Sequence, residues 1–264
     1  MLFQSLALSF FARFAALREK AVRRSFSTTT TAQKIQTYLR RFASKEKARL
    51  LQGFFKTGPG QYGEGDKFLG VMVPNIRRTV KEFADAPLSE IVKLLHSPWH
   101  EERLLALLLM VQKYEKGDDE LRKRIYTLYL KNTKYINNWD LVDLSAPKIV
   151  GPWLDGGSRS LLYRFVRSKN LWERRIAVLA TFAYIRKSDF ADALALAEML
   201  LADCHDLMHK AVGWMLREVG KKDVAVLEGF LRKHHRAMPR TALRYAIERF
   251  PEAKRQKYLR NEIK

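Results

Sequence analysis

Trp139 and Asp143 lie four positions apart in the run Asn138-Trp139-Asp140-Leu141-Val142-Asp143. On a helix that spacing stacks a broad indole face and a carboxylate on one side, with Asp140 pointing elsewhere. An ionised carboxylate can stabilise a developing cation and orient or deprotonate a water. An indole face favours the same cation through its ring quadrupole, by roughly 0.5–2 kcal/mol. The pair also has an ordinary structural reading, because a Trp on an amphipathic helix is commonly core and an Asp one turn later is commonly solvated or a cap.

The helix that carries the pair needs a start, an apolar stripe and a stop. Asn137 or Asn138 can cap it, Leu141, Val142, Leu144, Ile149 and Val150 supply the stripe, and Gly151-Pro152 would end it, which predicts a helix over 138–150. Pro147 opposes continuity and predicts a kink or a break after Ser145.

With 264 residues, 47% of them hydrophobic, the chain can bury a sizeable core in one large domain or two small ones. Lys and Arg outnumber Asp and Glu by 49 to 28, a net +21. Such an excess predicts a polyanionic partner. Nucleic acid is the commonest, because neutralised phosphates release condensed counterions; an anionic membrane is the rival. Cys204 is the single cysteine, which excludes an intramolecular disulfide framework and a Cys-based zinc site and fits a reducing, intracellular setting. His205 and His209 follow it at i,i+4 spacing, but no Glu joins them in an HExxH order and no fourth ligand is evident, so neither metal nor cofactor is expected and the pair reads as surface or phosphate-contacting histidines.

Residues 1–33 differ from the rest. An apolar run from Met1 to Ala16 is interrupted by Arg13 and followed by Arg18, Lys20, Arg23 and Arg24 and a Ser/Thr-rich stretch, with Glu19 the one acid. Charge that follows the apolar run argues against a secretory signal, and the run is too short to span a membrane. The segment reads as an extension, either disordered or an organellar transit peptide. Its five basic residues and one acid carry +4, so the expected folded domain, 34–264, keeps 21 − 4 = +17.

Helical periodicity predicts two short helices between Ala32 and Phe55. Residues 56–74 hold five of the 13 glycines and predict a long surface loop; the GxxxxGK[ST] order of a nucleotide P-loop is absent. After Pro74 helical periodicity continues to the end, with helices near 74–85, 88–96, 99–116, 118–132, 138–150, 158–167, 171–187, 189–202, 206–219, 221–234, 238–249 and 251–261. The small residues Ala106, Ala177, Gly213 and Ala246 are 71, 36 and 33 positions apart, a unit of about 35 residues. That is the period of an αα-solenoid, an all-α superhelix of about six helix pairs with an extended concave face. Duplex DNA is a natural rod for a basic concave face. The period also places Trp139/Asp143, Arg175 and Lys210/Trp214 in successive units as spatial neighbours. Lys and Arg would suffice for binding alone, and an Asp among them would repel phosphates.

The chain resembles the AlkD-type alkylpurine DNA glycosylases, a DNA alkylation repair family built of HEAT-like repeats. The likeness runs from about Ala32 to the C-terminus. It is carried by Phe54-Phe55-Lys56-Thr57-Gly58-Pro59-Gly60 through Phe68-Leu69-Gly70-Val71-Met72-Val73-Pro74, by Asn138-Trp139-Asp140-Leu141-Val142-Asp143, by Leu171-Trp172-Glu173-Arg174-Arg175-Ile176-Ala177 and by Lys210-Ala211-Val212-Gly213-Trp214-Met215-Leu216-Arg217-Glu218. It implies removal of cationic N3- or N7-alkylated purines from double-stranded DNA by a metal-independent monofunctional glycosylase, without the base being flipped into a pocket. It also implies that Trp139, Asp143 and Trp214 form the catalytic cluster and that Arg175 contacts the DNA backbone.

Other readings stand beside these. Arg175 can pair with Glu173 or Asp143 instead. Lys210, Arg240 and Arg244, with Arg232, Lys233, His234, His235 and Arg236, suit a phosphate-contacting surface or an ordinary solvated face. Trp99, Trp153 and Trp172 are expected in the core, and Tyr62 either touches DNA or packs the loop. The function from another class is a non-catalytic HEAT-like nucleic-acid-binding module, which would have no use for Asp143. A monomer in a DNA-containing compartment is expected, or in an organelle if the extension is a transit peptide.

Overall fold

The computed structural model describes residues 30–263, so the expected N-terminal extension lies, apart from its last four residues, outside the described part. Helices in chain order are α1 Thr31–Arg40, α2 Lys45–Phe54, α3 Val73–Glu82, α4 Leu88–Leu95, α5 His100–Lys116, α6 Asp119–Lys131, α7 Trp139–Asp143, α8 Ala146–Leu154, α9 Ser160–Phe165, α10 Leu171–Ala180, α11 Phe182–Ile185, α12 Ala191–Met199, α13 Asp206–Lys222, α14 Val224–His234, α15 Arg240–Ala246 and α16 Glu252–Leu259. Among the described residues strand pairing is limited to one isolated bridge, Lys67 with Trp99, and no helix is long and apolar enough to cross a membrane.

Side chains set many of the starts. Thr30 and Gln33 form a reciprocal capping box at α1, and Ser44, Asp118, Asn170 and Asp223 accept first-turn N–H groups of α2, α6, α10 and α14. The helices stack as an αα-solenoid, as the repeat predicts. In its inner row α8 packs on α5 and α10, α10 on α13 and α13 on α15, while outer helices such as α4, α9 and α14 flank the same members. One continuous apolar core runs through the stack.

The small residues of the repeat are contact points of this row: Ala106, Ala177 and Ala246 are all buried. Gly213 marks the closest approach, since a Cβ there would lie 2.5 Å from both the Ala242 carbonyl oxygen and the Tyr245 Cβ. Gly213→Ala is therefore expected to push α15 off α13 and cost about 1–3 kcal/mol of unfolding free energy, read as a lower denaturant midpoint.

The expected helix over 138–150 is two helices. The chain turns at Leu144-Ser145 because Pro147 cannot continue α7, and Ser145 Oγ closes the break on the Leu141 carbonyl at 2.5 Å and takes up the buried Tyr129 hydroxyl at 2.9 Å. The expected stop at Gly151-Pro152 is not one, for α8 runs to Leu154. Gly151 is instead a packing glycine whose Cβ would meet the Ala180 carbonyl oxygen at 2.4 Å. The expected helix 171–187 likewise divides, into α10 and α11. Trp172 is buried as expected, whereas Trp99 and Trp153 are half-buried, Trp153 stacking on Tyr126.

Candidate active site

A cleft of about 590 Å³ opens on the inner row, between the glycine-rich loop and helices α7, α10, α13 and α15. It gathers Trp139, Asp143, Arg175, Lys210 and Trp214, residues spread over three successive units, as the repeat spacing predicts. Phe54, Lys56, Tyr62, His205, Asp206, Leu207 and Tyr245 complete the wall.

Asp143 ends α7, and Arg175 reaches it from α10 in a bidentate fork: Nε donates to Oδ1 at 2.8 Å and Nη2 to Oδ2 at 2.7 Å. Arg175 Nη1 donates to the Leu207 carbonyl, in the first turn of α13, at 2.5 Å. The guanidinium is buried with its three nitrogens engaged, so in this structure the ion-pair role weighed for Arg175 is the one it fills. Burial pushes the Asp143 carboxyl above the usual carboxylate range; Arg175 pulls it back without cancelling the shift, and Asp140 adds to it. The result is a desolvated carboxyl of fixed orientation in the cleft wall.

The two tryptophans are held differently. Asn138 Oδ1 accepts the Trp139 backbone N–H at 2.9 Å, and the Trp139 ring stacks on Phe55 at 5.2 Å with Phe54 edge-on at 5.9 Å. Trp214 Nε1 donates to Glu218 at 3.0 Å, and its ring leans on Phe182 at 6.1 Å. Both rings are half-buried, each with a face left to the cleft wall. Asp140 faces away, as its position on the helix predicts.

A buried polar ring explains how the glycine-rich loop is held against this site. Asp140 Oδ2 binds His100 Nε2 at 2.8 Å, His100 Nδ1 binds Asp66 Oδ2 at 2.9 Å, and Asp66 also takes Arg103 and, at 3.1 Å, the Asn138 amide. Next to it Glu101 accepts the Leu69, Gly70 and Val71 N–H groups at 2.9, 2.7 and 3.1 Å. Gly70 is left-handed, at φ 79°, and a Cβ there would lie 2.0 Å from the Ser44 carbonyl oxygen, so both conformation and space require glycine.

Burial works against the His100 imidazolium, but the two flanking carboxylates, Asp140 and Asp66, outweigh it and raise its pKa to about 9. The folded state thus holds a proton that the unfolded chain releases near pH 6.5. The resulting stability is fully present below about pH 6.5 and is lost as pH rises to about 9, roughly 3 kcal/mol in all. Urea midpoints measured from pH 6 to 9.5 should fall in the wild type by more than in His100→Asn; parallel curves would show that the ring does not carry this charge.

The remaining expected contacts fall outside the cleft or are already partnered. Lys210 lies in the cleft with Nζ on Asp206 at 2.7 Å. Arg240 and Arg244 are exposed on α15 away from it, Arg240 Nη2 donating to the Leu259 carbonyl at 2.5 Å. His235 does not belong to the expected surface set: it is buried, its Nδ1 on the Leu231 carbonyl at 2.8 Å and its ring edge-on to Tyr258. In the Cys204 cluster, His209 Nε2 meets the Asp203 carbonyl at 2.5 Å and His205 Nδ1 accepts the Leu207 N–H at 3.1 Å.

Tyr62 is brought into the cleft from the loop, its hydroxyl donating to the Phe54 carbonyl at 3.4 Å, and burial raises its phenol pKa. Tyr245 and Lys56 are cleft residues to which sequence reasoning assigned no role, and His205, expected as a surface or phosphate-contacting histidine, lines the cleft with them. For Tyr245 a signal existed: it lies 31 positions after Trp214, near the repeat interval. Lys56 is held left-handed, at φ 51°, which no sequence pattern announces.

The model of the family described as DNA alkylation repair enzyme matches residues 35–250. A search of curated proteins finds no match. Among solved structures, one described as a predicted DNA alkylation repair enzyme from Enterococcus faecalis superposes with a TM-score of 0.63 at 17% identity, covering 80% of this chain and 97% of that one. At that identity the likeness speaks for the fold alone. The family match extends over most of the chain and includes every residue of the cleft wall from Phe54 to Tyr245; the chain belongs to the DNA alkylation repair enzyme family.

Proposed function

We propose that the protein is a metal-independent, monofunctional DNA glycosylase that hydrolyses the N-glycosidic bond of cationic N3- or N7-alkylated purines in double-stranded DNA, acting as a monomer in a DNA-containing compartment. The observation that carries this reading is the Asp143 carboxylate, fixed by Arg175 in an aromatic-walled cleft of a strongly basic chain.

A purine alkylated at N3 or N7 already bears positive charge. When the bond from C1′ of the sugar to N9 breaks, its electron pair goes to the base, which leaves neutral and needs no acid. The deoxyribose becomes oxocarbenium-like and is the species that requires help. Asp143 is suited to face that cation and to take the proton of the water that adds to C1′. Trp139 and Trp214 supply ring faces for the sugar. Arg175 is proposed to position Asp143 and, through the second N–H of each Nη, which takes no part in these three bonds, to make the DNA-backbone contact that the resemblance implies. Lys210 within the cleft, and Arg240 and Arg244 outside it, are proposed backbone contacts.

The test is release of free base from duplex DNA carrying a single 7-methylguanine, by the wild-type protein in EDTA. Release supports the reading. Tight duplex binding with no release of 7-methylguanine or, in a repeat, of 3-methyladenine would leave a non-catalytic nucleic-acid-binding module.

A further inference from the structure

The glycosylase reading leaves His205 without a task, although its imidazole lines the same cleft as Asp143. The backbone fixes its tautomer. Nδ1 accepts the Leu207 N–H at 3.1 Å, so it bears no proton, and the neutral ring must carry its proton on Nε2. Among the described residues Nε2 has no hydrogen-bond partner, while the residue itself is anchored: its N–H donates to Asp203 Oδ1 at 2.8 Å, and Asp203 Oδ2 takes Arg174 Nε at 2.8 Å. Nδ1 stays an acceptor only in the neutral ring, and burial, which lowers the imidazole pKa against Asp203 and Asp206, acts in the same direction. Leu207 is consequently bracketed, its N–H by His205 and its carbonyl by Arg175.

We propose that His205 is an uncharged phosphate contact: its Nε2–H donates to a phosphate oxygen of the strand whose deoxyribose faces Asp143, while its Nδ1 caps α13. This rests on the proposed placement of the sugar. Phosphates are bonded to the 3′ and 5′ oxygens of that sugar, so a deoxyribose at Asp143 brings one of them to the cleft wall. A phosphate offers acceptors alone, which a fixed neutral donor matches. The nearest carboxylate on the same turn, Asp206, is paired with Lys210.

Two substitutions separate the roles of the two ring nitrogens. In His205→Asn the amide oxygen replaces Nδ1 as cap and nothing replaces Nε2; in His205→Gln the amide nitrogen replaces Nε2 and the cap is lost. The expected result for His205→Asn is a thermal midpoint near that of wild type with duplex affinity lowered ~10-fold. His205→Gln is expected to show the converse. A neutral donor releases no counterion, so the slope of log affinity against log salt should be unchanged in His205→Asn, whereas Lys210→Ala should reduce it by about 0.9. Wild-type affinity in folded His205→Asn would overturn the proposal, as would a salt slope reduced like that of Lys210→Ala. Should His205→Asn fail to fold, lost affinity in a folded His205→Gln is the overturning result. Failure of wild type itself to bind duplex would instead sink the proposed function, and this inference with it.

Discussion

Asp143→Asn is expected to lower release of 7-methylguanine by ~10³-fold while duplex affinity stays within about threefold. Removing one preorganised group aimed at developing charge costs about 10²–10³ in rate, and loss of a proton acceptor adds to that. Asn keeps the shape and one acceptor for Arg175 but carries no charge for the oxocarbenium and takes no proton from water. Trp139→Phe and Trp214→Phe should cost less, about 2- to 30-fold each, because a weaker ring quadrupole remains. Single-turnover release with binding measured alongside separates the steps. A variant with near-wild-type release would remove Asp143 from the chemistry.

Arg175→Leu carries the second large effect, and it appears in two readouts. Taking away the guanidinium leaves a buried carboxylate whose two oxygens have lost their partners, a change that typically costs 3–5 kcal/mol at neutral pH. Burial already holds the Asp143 pKa above its unfolded value, and without Arg175 it rises further. A carboxyl raised on folding keeps its proton in the folded state. Its destabilising effect is absent below the unfolded value, near pH 3.9, and grows as pH rises to the folded one. Stability of Arg175→Leu, relative to wild type, should therefore fall as pH increases from 4 to 7. The same shift should move the acid limb of the pH–rate profile to higher pH in this variant. Arg175→Lys, lacking the fork, should fall between. An unmoved acid limb would mean that Arg175 does not tune the carboxylate.

Legibility followed the periodicity. Helix period and the roughly 35-residue unit were enough for an αα-solenoid, because stacked helices leave regular apolar stripes, and the same arithmetic placed Trp139, Asp143, Arg175, Lys210 and Trp214 at one cleft. The break at Leu144-Ser145 was signalled by Pro147. Gly151 misled, since a glycine at a helix end and a glycine between close helices look alike in one dimension. His235 misled because a basic run conceals the one member that turns inward. The ring of Asp66, His100, Arg103, Asn138 and Asp140 was illegible: its members come from a loop and two helices with no common period, and only the folded loop brings them together. His205 was legible only as a surface or phosphate-contacting histidine, since what distinguishes it is the backbone N–H that selects its tautomer.

The line from Asp143 through Arg175 to the Leu207 carbonyl joins α7 to α10 and α13, two consecutive members of the inner row. Solenoids ordinarily lengthen by duplication, since each unit meets only its neighbours and tolerates an inserted copy. Here a unit inserted between residues 143 and 207 would carry the guanidinium out of reach of the carboxylate or of the carbonyl. The array can grow at its ends but not through its centre, so the ion pair fixes the spacing of an architecture otherwise free to vary it.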